Sequence, residues 1–100
     1  MKVENIISKS GNAIANQFVL SGGDELVFQS YDSTIITIDN GTKTVIIGRD
    51  YDYSVTTGKY RNIFFEDYAP YELNGLKDLK VLRKAIEEKE FNGWKVMTDF

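Results

Sequence analysis

One hundred residues, 42% hydrophobic and 27% charged, make one ordinary globular domain over residues 1–100 and exclude a disordered chain. The formal net charge of -3, with its acidic excess in residues 1–75, excludes non-specific nucleic-acid binding over the whole surface. Cysteine and histidine are both absent, which removes disulfides, thiolate metal sites and the commonest general base, so no catalytic residue, metal or cofactor is expected and the chain reads as a non-enzyme.

Val3 to Ile7 can open a first strand, while Asn12 to Asn16 is too short and polar to assign. Gln17-Phe18-Val19-Leu20 and the alternating run Glu25 to Tyr31 flank Ser21-Gly22-Gly23-Asp24, whose residues tolerate positive φ, and together they predict a hairpin. Ser33 to Asp39 is rich in β-branched residues that suit a pleated, half-buried surface. Asn40-Gly41 then predicts a two-residue turn with both central residues at positive φ, leading into a returning strand from Lys43 to Gly48. After a bend or bulge at Gly48, Tyr51 to Val55 is expected to extend the sheet.

The spacing of Tyr60, Ile63, Phe64 and Tyr68 predicts a helix over 57–68, capped by Thr56 or Thr57 and stopped at Ala69-Pro70. Leu76, Leu79, Leu82 and Ile86 make the apolar stripe of a second helix over 76–91, ending where Gly93 can take a left-handed cap. Trp94 to Phe100 alternates like a short edge strand or a docking tail, with an exposed hot spot for a homodimer as the alternative. The expected fold is α+β: an antiparallel β-meander of four to five strands with two helices packed on one face. The N-terminus lacks the apolar core of a secretory signal and no run reaches transmembrane length, so the expected location is cytoplasmic, with no membrane partner.

The densest chemistry lies between Gly48 and Phe65. Tyr51, Tyr53 and Tyr60 are interleaved there with Lys59 and Arg61, a pattern that can stack bases and neutralise phosphates, so a single-stranded nucleic-acid binder is one reading. Asp50 and Asp52 oppose it, because they would repel a phosphate on the same face. Ser54, Thr56, Thr57, Gly58 and Lys59 have the ingredients of a phosphate loop without its glycine order, and serve better as a helix-capping turn. Six tyrosines exceed what the core of so small a domain requires, and tyrosine gives large, rigid contact area with a polar tip. The leading expectation is therefore a partner-binding surface made of Tyr31, Asp50, Tyr51, Asp52, Tyr53, Lys59, Tyr60 and Arg61.

Two segments carry a resemblance. Gln29-Ser30-Tyr31-Asp32-Ser33, followed by Ile35, Ile38 and Asp39, and then Asp50 to Tyr60 (D-Y-D-Y-S-V-T-T-G-K-Y), are similar to a family of small uncharacterised proteins from bacteriophages and mobile elements. Its members share a Q-S-Y-x-S-x-I segment, a W/Y-D-Y-S-x-T-T-x-K segment and a following aromatic helix; Tyr51 stands where many relatives have tryptophan. The likeness covers roughly residues 17 to 65 and brings no activity with it. It implies a phage accessory protein in the cytoplasm of an infected bacterium. By analogy of size and setting, it also implies an inhibitor of host defence of the anti-CRISPR kind, whose partner is a bacterial host protein such as a nuclease effector.

Overall fold

β-Branched and aromatic residues at period two build five consecutive antiparallel strands: β1 (Lys2–Ile7), β2 (Ala13–Gly22), β3 (Glu25–Ser30), β4 (Ser33–Asp39) and β5 (Thr44–Ile47). The computed structural model describes residues 1–100. Residues 13–16 of the polar stretch belong to β2, which pairs with β1, as in Ile7 opposite Ala13. Four helical pieces follow: α1 (Val55–Ile63), a π-helical turn Phe64–Tyr68, a 3-10 helix Tyr71–Lys77 and α2 (Leu79–Glu88). Two further strands, β6 (Glu90–Phe91) and β7 (Trp94–Thr98), complete a seven-stranded sheet of order β1-β2-β3-β4-β5-β7-β6. The fold is α+β with a meander at its centre. The C-terminal run is not an edge: β7 lies between β5, to which it is parallel, and β6.

The register sorts the side chains into two faces. Val19, Phe28, Ile36 and Ile47 form one row across the strands, and Leu26, Ile38, Val45 and Val96 the next. The helical layer covers these rows, with Phe28 stacked on Phe64 at 5.6 Å between ring centroids. On the opposite face Val3, Leu20, Val27, Thr37, Ile46 and Met97 share a row outside this core. Each fully buried Phe or Leu of the core contributes about 1.5–3 kcal/mol relative to an exposed one.

Several local expectations are corrected. The β4–β5 connection is a four-residue loop, because Asp39 Oδ1 accepts from the N–H groups of Gly41 and Thr42 (2.9 and 3.2 Å) and draws the chain into a wider turn, with positive φ at Lys43 alone. Tyr51 to Ser54 is not a strand; Tyr51 N–H bonds to Gly48 and Tyr53 N–H to Asp50, two successive turns that take the chain out of the sheet. Gly48 is needed at the exit, since a Cβ there would collide with the carbonyl oxygen of Thr34.

Ser54, not Thr56 or Thr57, caps α1, accepting from Thr57 N–H at 3.1 Å. The stripe over 76–91 is split by Asp78, whose carboxylate caps the N–H groups of Lys80 and Val81, so Leu76 belongs to the 3-10 helix. α2 stops at Glu88, with Lys89 in the left-handed conformation. Asn92 and Gly93, both at positive φ, then form the tight two-residue turn between β6 and β7.

Candidate functional site

Two segments twenty residues apart meet beside the N-terminus of α1. The β3–β4 turn brings Ser30, Tyr31, Asp32 and Ser33, and the turn-and-cap segment brings Asp50, Tyr53, Ser54, Thr56 and Thr57; with Ile35 they line a cavity of about 520 Å³. Ser33 Oγ donates to Asp50 Oδ2 at 3.2 Å and ties one wall to the other. Ile35 reaches the cavity because β4 carries a bulge: Phe28 opposes Ile36 while Gln29 opposes Thr34, which leaves Ile35 as the extra residue. The bulge lets the adjacent Ile35 and Ile36 both bury on the core side, where both belong to the same hydrophobic cluster.

The rim is aromatic. Tyr31 is 60% exposed and Tyr53 78% exposed. Tyr31 is the first residue of a two-residue hairpin turn and holds φ at +54°, a conformation that favours glycine. Two hydrogen bonds keep it there: its N–H donates to Asn16 O at 2.7 Å, and its own carbonyl accepts from Gln29 Nε2 at 2.7 Å.

The eight residues expected to form one surface separate into three groups. Tyr31, Asp50 and Tyr53 face the cavity. Tyr51, Asp52 and Arg61 turn toward the helical layer. The guanidinium of Arg61, only 3% exposed, donates through Nη1 to the carbonyl oxygen of Tyr51, and burial pushes its pKa below the ordinary arginine value against the pull of Asp52. Arg83 of α2 donates to Asp52 Oδ2 at 2.6 Å, and the Tyr51 ring stacks on Phe100 at 6.2 Å. Tyr60 is half-buried against the core, with the exposed Lys59 ammonium 5.6 Å from its ring centre. Lys59 is thus the one exposed cation of the expected set, and it does not line the cavity.

Asp32, Ser30, Ser33 and Ile35 were not among the expected site residues. Their signal in the sequence is the polar hairpin tip Ser30 to Ser33, but its convergence with Asp50 and Tyr53 depends on a bulge and on turns that leave no periodic trace. No group of three or more Asp or Glu is placed to hold a metal ion. No helix is long and apolar enough to cross a membrane.

The architecture and the cavity define a small α+β sheet-and-helix protein with a polar recess at a hairpin–helix junction. The chain belongs to the DUF8033 family, a family of unknown function, whose model matches residues 1–81 and so contains both walls of the cavity. No curated protein and no solved structure matches the chain.

Proposed function

We propose that the protein works by binding, without chemistry of its own, and that it grips a protein partner at the rim of this cavity. The setting we propose is the one the resemblance implies: a bacteriophage accessory protein in the infected cell's cytoplasm, blocking a bacterial host protein such as a nuclease effector of host defence. The observation that carries the binding reading is Tyr31. A left-handed backbone costs a non-glycine residue roughly 1–2 kcal/mol, and the ring held there is exposed, so it returns little to the core. Strain retained at an exposed aromatic, beside a second exposed tyrosine and a cavity, supports an interface.

The nucleic-acid reading has less support. Arg61 is committed to Tyr51, and the cavity presents Asp32 and Asp50, which repel phosphate.

The test is capture from a bacterial lysate by the wild-type chain, by Tyr31→Gly and Tyr53→Ala, and by Tyr71→Ala as a control at an exposed tyrosine that does not line the cavity. The expected result is saturable capture of a protein by wild type and Tyr71→Ala, lost in the two rim variants. Equal capture by all four chains would reject this interface.

A further inference from the structure

Resting on the binding reading above, we infer that the cavity is the seat of an arginine side chain presented by the protein partner. Charge is the first reason. Of the ten lining residues, Asp32 and Asp50 are acidic and none is basic. The N-terminus of α1 also opens here, but a helix end is equivalent to roughly half a positive charge, and two carboxylates outweigh it. The cap has in any case already committed Ser54 Oγ to Thr57 N–H.

Hydrogen-bonding capacity is the second reason. An ionised carboxylate only accepts, and Asp50 takes one bond from Ser33, which leaves acceptor positions on both aspartates open to a donor-rich guest. Guanidinium offers five donors and no acceptor. The hydroxyls of Ser30, Ser33 and Thr56 can rotate to accept as well.

Shape is the third reason. Tyr31 and Tyr53 line the cavity and are largely exposed, and a planar guanidinium stacks on accessible aromatic rings, whereas an ammonium is a compact point charge. A hard metal ion fits less well: it wants six or more oxygen ligands, and no group of three carboxylates assembles. A volume of about 520 Å³ lies within the usual range of ligand pockets and accommodates an arginine side chain with its flanking backbone.

The experiment titrates the uniformly 15N-labelled full chain with Nα-acetyl-arginine amide and, in parallel, with its neutral isostere Nα-acetyl-citrulline amide. The expected result is saturable shifts of the Tyr31–Ser33 and Asp50–Thr57 amide signals at millimolar arginine amide. Citrulline amide is expected to bind about tenfold more weakly, the loss of one charge-assisted pairing. Asp50→Asn should weaken arginine amide by a similar factor while an unchanged spectrum elsewhere shows the fold intact, and Asp32→Asn should also weaken it.

Equal binding of the two amides, no saturable shift, or tighter binding of neutral maltotriose at the same signals would overturn the arginine seat. If the seat fails while capture still depends on Tyr53, the partner reading survives alone. If arginine amide binds but no protein is captured through Tyr53, the protein partner is what fails.

Discussion

At Tyr31 stability and binding pull in opposite directions, and the conflict is measurable. The residue sits at φ +54° with its N–H and C=O both tied down, so glycine would keep the backbone bonds and remove the steric cost. Tyr31→Gly is expected to raise the unfolding free energy by about 1 kcal/mol, offset in part by the greater freedom of an unfolded glycine. Urea denaturation followed through the single tryptophan, buried at Trp94, reads this directly. A destabilised Tyr31→Gly chain would mean that the ring supports the fold and is not held for a partner. The neighbouring aspartates show how much one residue's neighbourhood decides: Asp50 faces the cavity, whereas Asp52 is held by Arg83. Strand alternation in the sequence would have put both on one face, and successive turns separate them.

Among the elements, the π-helical turn shows what a pattern of apolar spacing leaves out. The spacing that predicted one helix to Tyr68 was right about where it ends, but an i→i+5 bond from Ala69 N–H to Phe64 O (3.0 Å) widens its last turn. Phe64 and Phe65 are both fully buried, and Tyr68 stacks on Phe64 and accepts the Ile7 N–H through its hydroxyl at 3.1 Å. The strands of the meander were legible because alternation and β-branching are local, and so was the buried leucine stripe. The turn geometries were not, because Asp39, Ser54 and Asp78 redirect the backbone through side-chain bonds whose competition a pattern does not rank.

The same π turn carries Glu66 and Asp67 to Lys9 in the β1–β2 loop, at 3.2 and 3.4 Å. The Lys9 hydrogen bond holds the Glu66 carboxyl below its ordinary value of 4.5, with Lys77 helping, and the Glu66 bond raises Lys9 above 10.5. A depressed carboxyl gives stability that is present above its unfolded pKa and lost as pH falls through the folded one; a raised lysine gives stability that is lost as pH rises through its folded value. The tie is therefore strongest between about 4.5 and 10.5. Lys9→Met should move the Glu66 carboxyl, read by carbon NMR titration, back toward its ordinary value without reaching it, since Lys77 remains. High salt should do the same, because these groups are exposed. An unmoved Glu66 titration would remove Lys9 as the cause.

For the molecule as a whole, the decisive strand is the last one. β7 runs parallel to β5 after the entire helical layer, and it closes the core rows: Val96 beside Val45, with Trp94 only 2% exposed. The indole Nε1 is buried and no protein group accepts from it, so the ring's contribution to the core is one of packing. Phe100 continues from β7 to stack on Tyr51, which joins the C-terminus to the segment that supplies Asp50 and Tyr53. The family match ends at residue 81, inside α2, so one could suppose that residues 1–81 are self-sufficient. The packing argues otherwise. Such a chain lacks Leu82, Ala85, Trp94 and Val96 from the core and leaves β5, with Val45 and Ile47, as an uncovered edge. Losing one large aromatic costs about 3–5 kcal/mol, and a domain of this size holds only about 5–15 in total. The 1–81 chain is expected to show no cooperative urea transition by circular dichroism. Trp94→Ala in the full chain should keep a transition at a much lower midpoint. A cooperative transition in the 1–81 chain, with dispersed amide signals, would show that β7 is an addition to a complete fold, and the Tyr51–Phe100 contact would then have no part in setting the cavity.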